Sequence, residues 1–269
     1  MKHLKTGQFH GQTNNTILLN GLTLTDTEYT HDKVDWHYHE NAYFTFILQG
    51  NVIEGNKNEV YNCSAGSLLF HNWQEAHYNI KPDGFTRGFH IELKKKWLQN
   101  LNLSLGDLTG SMNIQNTDLK LLLYKIFKET KINDETAPLS IESLVLQVLG
   151  QMLQDTEMSL KKNPIWVTKI IEILNETFSE KLTLTGLSNS LGIHPAHLSR
   201  DFPKHFQCTL GNYIRKLKIQ KSLSLLSKKT ISLSDITFEC GFADQSHFNR
   251  CFKDIMGVTP FAYRKLILS

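Results

Sequence analysis

Cysteine is scarce in this chain of 269 residues, and what there is sits badly for cysteine chemistry. Cys63, Cys208, Cys240 and Cys251 form no CxxC pair, which argues against a zinc ribbon and against a disulfide framework. Reduced thiols in a cytosol are the expectation. No run of 18 apolar residues occurs, and the opening MKHLKTGQFHGQ has no apolar signal core. Neither a membrane span nor a secretory leader is therefore expected. A P-loop, a nucleophile elbow, an HExxH pair and a dinucleotide fingerprint are all missing, which removes the usual sequence grounds for assigning an enzyme. Disorder has little support either, because 40% apolar residues with 10% aromatics suffice for packed cores.

What is present divides in two. The net charge of +3 hides an asymmetry. From Pro164 onward there are 14 Lys and Arg against 8 Asp and Glu, a net +6, while residues 1–163 carry 15 against 18, a net −3. A basic C-terminal part suits a polyanion at one end of the molecule, although ordinary surface charge gives the same sum.

Hydrophobic periodicity divides the chain at the same place. Short β-compatible pieces, Thr16–Leu19 and Leu22–Leu24, precede a region of strands and turns from Val34 to about Leu93. Tyr43–Leu48 is an aromatic and β-branched run, and Val52–Ile53 and Val60–Tyr61 flank the turn-rich EGNKNE as a hairpin. Many short strands at this spacing predict a sandwich or barrel. The period then becomes helical. Leu119, Leu122, Leu123, Ile126 and Phe127 predict a helix over 117–130, broken by Pro138, and Ile141 to Leu153 repeat the stripe. One stripe is expected to pack on the barrel, and the other to meet a second subunit or a neighbouring helix. Residues 155–163 lose the stripe and are assigned as a linker between domains at 1–154 and 164–269.

The C-terminal domain has two helix, turn, helix units. Pro164 at N1 opens a helix bearing Val167, Ile170, Ile171, Leu174 and Phe178. Thr183–Leu191, a turn at Gly192 and Pro195–Phe206 form the first unit, and a helix over Leu210–Leu226 links it to the second. In the second, Asp235–Glu239 follows an N-cap at Ser232 or Ser234, Gly241 makes the turn, and Asp244 caps a helix with Phe248, Phe252 and Ile255 on one stripe. Gly257 ends it, and Thr259-Pro260 starts a last helix. This is the plan whose second helix can lie in a DNA major groove.

The set Ile236, Gly241-Phe242, Ser246, Phe248, Arg250, Phe252-Lys253, Gly257, Thr259-Pro260 and Tyr263-Arg264 resembles the signature of the AraC/XylS family of bacterial transcription regulators. The resemblance implies double-stranded DNA as partner, read by Gln245, His247, Asn249 and Arg250 on the second recognition helix and by Ala196, Ser199 and Arg200 on the first. His197 and Lys204 stand nearby, while Lys253, Arg264 and Lys265 are expected to hold phosphates. Four positions depart from the family pattern: Thr237 for alanine, Pro203 for lysine, Gln207 for glycine and Lys218 for arginine. A proline inside a helix costs on the order of 3 kcal/mol. The first recognition helix is therefore expected to kink or end near residue 200, leaving the second unit as the principal anchor.

A looser resemblance covers the N-terminal half. His37-Tyr38-His39, Gly50, Ser64-Ala65-Gly66 and His77 look like the two motifs of a cupin barrel, which this family commonly carries before its DNA-binding half. Histidines on alternate residues share a strand face, and three of them can hold zinc or iron. The glutamate of metal-binding cupins is missing, however, with Tyr43 and Phe44 in its place, and the family generally uses such barrels as effector pockets without metal. Hence His37, His39 and His77 are assigned to a small-molecule effector, with no metal and no cofactor expected. His71 and His90 are taken as structural or surface residues.

The fold expected is thus two domains: a mainly-β, cupin-like barrel with following helices, and an all-α domain with two helix-turn-helix units. The function expected is a cytoplasmic, ligand-responsive transcription regulator without enzymatic activity. It is expected to be an activator, working as a homodimer with RNA polymerase as a further partner and no membrane contact. The alternatives are a metal-dependent cupin enzyme tethered to DNA, a repair methyl acceptor, for which no activated cysteine is present, and a dimeric module that binds DNA constitutively with an empty barrel.

Overall fold

The computed structural model describes residues 1–103, 111–132, 134–159, 164–180 and 182–268. It divides into two compact units, Met1–Val148 and Leu149–Ser269.

The first unit is built on strands β1 (Lys2–Leu4), β2 (Gln12–Leu18), β3 (Leu22–Glu28), β4 (Lys33–His39), β5 (Ala42–Gln49), β6 (Asn51–Asn56), β7 (Val60–Ser64), β8 (Leu68–His71), β9 (His77–Ile80) and β10 (Arg87–Leu93). Helix α1 (Lys95–Asn100), strand β11 (Ser111–Ile114) and helices α2 (Thr117–Glu129) and α3 (Ala137–Ser159) follow. The strands form two sheets, in the orders β1-β4-β9-β6-β7 and β11-β8-β5-β10-β3-β2. The expected mainly-β domain is there, as a pair of sheets rather than one hydrogen-bonded ring. Alternation explains the near-continuous apolar run of β5. Phe46 meets Tyr124 of α2 edge-on at 4.6 Å, and Phe89 of the adjoining β10 meets Phe127 at 5.2 Å. Tyr43 and Thr45 point the other way, where they line a cavity. The hairpin expected around EGNKNE joins β6 to β7, and Asn56 Oδ1 closes its turn by accepting from the amides of Asn58 (2.7 Å) and Glu59 (2.8 Å).

A buried ion cluster ties β3 to β10 and to the end of α2. Asp26 is 3% exposed and accepts from Arg87 Nε (2.7 Å) and Nη2 (2.5 Å) and from Lys131 Nζ (3.2 Å). The Phe127 ring lies 5.5 Å from the guanidinium and 5.0 Å from the ammonium. Burial pushes the Asp26 carboxyl up, but the hydrogen bonds and charge of Arg87, with Lys131 adding to them, hold it below its usual value.

Pro138 opens α3 instead of merely ending α2, because in a first turn its missing N–H has no intrahelical role. That helix continues through Ser159 and so includes the first five residues of the segment 155–163; residues 160–163 lie outside the described residues.

The second unit comprises α4 (Ile165–Thr177), α5 (Leu184–Leu191), α6 (Pro195–Phe206), α7 (Leu210–Leu226), α8 (Leu233–Glu239), α9 (Gln245–Met256) and α10 (Pro260–Leu268). Pro164 occupies the N-cap of α4, one position before the N1 expected. Ile170, Leu174, Leu187, Leu198, Phe202 and Leu217 share one apolar cluster, which holds α4 to α7 together. Ile236, Phe248, Phe252 and Tyr263 are buried in the remainder. Gly241 has φ +71°, and a Cβ there would stand 2.1 Å from the Ser179 carbonyl oxygen, so the turn requires glycine. Among the described residues no helix is long and apolar enough to cross a membrane.

Candidate nucleic-acid interface and histidine cavity

Both helix-turn-helix units are closed by short-range polar contacts. Thr183 Oγ1 accepts from the Gly186 amide (3.1 Å) at the start of α5, and Gly192 turns at φ +66°. His194 Nδ1 accepts from the Ala196 amide (3.2 Å) to cap α6. In the second unit Ser232 Oγ caps α8 through the Asp235 amide (3.0 Å), and Asp244 Oδ1 caps α9 through the His247 amide (2.7 Å). With Phe248 and Phe252 fully buried on one stripe of α9, Gln245, Arg250 and Lys253 stand exposed off it, and His247 and Asn249 are half-buried. On α6 the buried stripe is Leu198 and Phe202, and Ala196, Ser199, Arg200 and Lys204 are exposed.

Three departures from the family pattern are absorbed locally. Thr237 donates its hydroxyl to the Leu233 carbonyl (2.8 Å). Lys218 Nζ donates to the Gly241 carbonyl (2.6 Å) and lies 5.7 Å from the centre of the Phe242 ring, tying α7 to the second turn. Gln207 takes the left-handed C-cap conformation, φ +53°, that favours glycine. The expectation for Pro203 is corrected: α6 does not end near residue 200 but runs through the proline to Phe206. Only three helical residues follow it, and Leu198 and Phe202 anchor the turn before it in the core. Arg264 is half-buried, with Nε and Nη2 turned inward, whereas Lys265 is exposed.

The two recognition helices carry the same formal charge, two cations and one carboxylate each (Arg200, Lys204 and Asp201 on α6; Arg250, Lys253 and Asp254 on α9), but differ in how the cations are paired. Asp201 accepts from Arg200 Nε and Nη2, both at 3.1 Å, and from Lys204 Nζ at 2.7 Å. Hydrogen bonds from these two cations hold the Asp201 carboxyl well below the usual range. Two of the cations on the exposed face of α6 are thus already matched by a carboxylate, while Arg250 has no ion-pair partner among the described residues. The i, i+3 spacing of Asp201 and Lys204 was legible. Asp201→Asn is expected to raise affinity for duplex DNA severalfold and to steepen its salt dependence by about one phosphate contact. A binding titration at two salt concentrations checks this, and an unchanged slope would show that the carboxylate is irrelevant.

Residues 187–266 match a family model described as a helix-turn-helix domain. The chain carries an AraC-type helix-turn-helix domain. It is 22% identical over 248 residues to an HTH-type transcriptional regulator of Staphylococcus aureus (strain MRSA252), covering 87% of this chain and 33% of that protein. It is 27% identical over 223 residues to the HTH-type transcriptional regulator YbfI of Bacillus subtilis (strain 168), covering 78% of this chain and 80% of that one. The chain therefore spans about a third of the length of the staphylococcal relatives. Among solved structures, ToxT from Vibrio cholerae aligns over 93% of this chain and 100% of its own at 15% identity, with a TM-score of 0.39.

The unit that precedes the AraC-type domain holds the second candidate site, a cavity of about 30 Å³ with walls from both sheets. His37 and His39 lie on one face of β4, and antiparallel pairing sets His77 of β9 directly opposite His37. The ring centres of His37 and His77 are 4.1 Å apart, and one ring nitrogen from each of His37, His39 and His77 lies within 4.8 Å of the others. The three assigned residues are thus together, and all are buried.

Tyr43, in the place of the missing glutamate, reaches across from β5, with its hydroxyl 3.1 Å from His77 Nε2. His90 of β10 also lines the cavity, held by Thr45 Oγ1 at 3.2 Å, so it is buried and not a surface residue. His71 is buried as well. Its Nε2 lies 3.0 Å from Glu54 Oε1, and its Nδ1 lies 3.0 Å from Ser111 Oγ. Burial raises Glu54 to about 8, against the pull of its hydrogen bond from Asn79, and lowers His71 well below its usual value, so burial disfavours the charged form of both. Burial likewise lowers His77 and His90 to about 3, and His39 well below its usual value.

The motif marked Tyr43 only as a replacement for the missing glutamate, and nothing in the sequence pointed to Glu54 or to the loop before β2, which brings Phe9 to within 3.7 Å of the His90 ring centre and His10 to within 5.0 Å of that of His37. Only the pairing of distant strands brings these groups together, so no local signal marks them.

Proposed function

We propose that the chain is a sequence-specific, DNA-binding transcription regulator, an activator, whose N-terminal unit binds a small effector at His37, His39 and His77. The observation that carries this is the pair of capped helix-turn-helix units whose recognition helices bury one stripe and expose polar side chains on the rest. Gln245, His247, Asn249 and Arg250 are the proposed base readers on α9, with Ala196, Ser199 and Arg200 on α6. Lys253 and Lys204 are the proposed phosphate contacts. Helix α7 has 17 residues, about 25 Å at 1.5 Å each, the right order for two readers in grooves one helical turn apart.

In this reading residues 1–154 bind effector and dimerise, 155–163 link, and 164–269 bind DNA. Leu139 and Leu146 of α3, 72% and 36% exposed and seven residues apart, supply an apolar edge for the homodimer contact. The protein acts in the cytoplasm with RNA polymerase as partner, and no catalysis is assigned to it. Arg250→Ala is expected to weaken specific binding by about 1–3 kcal/mol and to relax preference at one base pair. Mapping the genomic sites bound by the chain, followed by titration of one such site with both proteins at fixed salt, tests this. Equal affinity would remove Arg250 from the interface, and absence of any preferred site would sink the regulator reading.

A further inference from the structure

We infer that the two recognition helices read base pairs with unequal stringency, and that His197 and Asp201 set the difference. They hold Arg200 so that one nitrogen of its guanidinium is left for DNA, whereas Arg250 offers its whole fork. The inference rests on the regulator reading and gives its two arginines different roles.

The two units repeat at an offset of 50 residues. His197 and Arg200 are the third and sixth residues of α6, and His247 and Arg250 the third and sixth of α9, each helix having 12 residues. Leu198 and Phe202 are buried at the positions of Phe248 and Phe252, so the two arginines leave equivalent faces. Their surroundings differ. On α6 the next residue is Asp201, and His197, one helical turn earlier, faces the guanidinium. On α9 the next residue is Cys251, which is buried, and His247 instead meets the Phe242 ring edge-on at 5.5 Å.

A guanidinium has five N–H groups and no acceptor. Arg200 gives Nε–H to Asp201 Oδ1 and one Nη2 hydrogen to Oδ2, both at 3.1 Å. Nη2 also lies 2.9 Å from His197 Nδ1. Arginine only donates, so His197 Nδ1 is the acceptor and takes the second Nη2 hydrogen, the one beside Nη1. Guanine is read by two bonds, to O6 and N7, from two nitrogens of one guanidinium edge. Asp201 therefore closes the side-on fork of Nε and Nη2, and His197 closes the end-on fork of Nη1 and Nη2. Only Nη1 keeps both hydrogens unpaired among the described residues. Arg250 makes no hydrogen bond or ion pair among them, and both its forks stay open.

Magnitudes decide what this does. A bidentate contact discriminates guanine from other bases by about 5- to 150-fold. A contact between exposed side chains is worth a factor of about five at most. Reopening a fork thus lowers the preference read by Arg200 by roughly that factor for each contact broken, without removing the contact with DNA.

The test measures the affinity of the full chain, at fixed salt, for a mapped genomic site and for each single base-pair substitution of it. Arg250→Ala is expected to flatten one guanine preference of roughly fivefold or more. Arg200→Ala is expected to flatten a preference about 10 base pairs away that is at least threefold smaller. His197→Ala frees the end-on fork and is expected to sharpen that second preference severalfold. His197→Ala combined with Asp201→Ala is expected to bring it level with the one read by Arg250. His197→Gln keeps an acceptor in reach of Nη2 and is expected to match wild type. Loss of the Asp201 charge changes affinity for every sequence alike, so the readout is the ratio between sequences. If the double variant fails to fold, the two arginine variants still decide. Equal preferences lost from those two, or a preference untouched by His197→Ala, would overturn the inference and leave the regulator reading in place. A wild-type chain that prefers no sequence would remove both.

Discussion

Phe252→Ala is expected to destabilise the AraC-type domain by about 3–5 kcal/mol, the range for removing a fully buried aromatic side chain. Phe252 is 0% exposed on α9, with Phe248 at 5.7 Å and Tyr263 of α10 at 5.6 Å between ring centres. It holds the recognition helix and the last helix to a common core. Domains are stable by only about 5–15 kcal/mol, so the variant should leave a substantial unfolded population at 37 °C and lose most DNA binding there. Urea unfolding followed by circular dichroism measures the first effect, and DNA titration at 15 °C and 37 °C the second. Phe261→Ala is the contrast. That ring is 66% exposed and its loss should stay within about 0.5 kcal/mol. Equal losses from the two would contradict the packing described.

Asp26→Ala should be of similar size in the other unit, about 3–5 kcal/mol, because it leaves Arg87 and Lys131 charged and unmatched at a largely buried site. Asp26→Asn should cost less, since the amide oxygen still accepts. The pH dependence separates this carboxylate from its surroundings. Its folded value lies below its unfolded one, so its contribution is complete above about pH 4 and is lost as pH falls through the folded value. The cavity histidines also have folded values below their unfolded ones, so they remove stability as pH falls below about 6.5 in every variant alike. The difference between wild type and Asp26→Asn should therefore hold steady from pH 7 to about 4 and close below it. A difference constant down to pH 2 would assign the effect to packing alone.

The C-terminal half was legible because its signals are local. Caps at Asp244 and Ser232 and turns at Gly192, Gly241 and Gly257 mark each helix within a few residues of the feature they control. Pro203 misled because a proline's cost depends on what lies on either side. Near the end of α6 little helix remains to be broken, and buried Leu198 and Phe202 hold what precedes it. In the N-terminal half, strands with long apolar runs such as β5 were found, whereas β1 and β9, three and four residues long, carry too little pattern. The histidines were read from their motif. Their environment was not, because Tyr43 and Glu54 reach them only through pairing and stacking of sheets.

Strand β1 carries a practical consequence. Its three residues pair in parallel with His37, Tyr38 and His39, so Lys2 to Leu4 form the edge beside the strand that holds two of the cavity histidines. Residues fused directly before Met1 would begin next to that edge, so a bulky purification handle there would press on the strand that carries two of the cavity histidines.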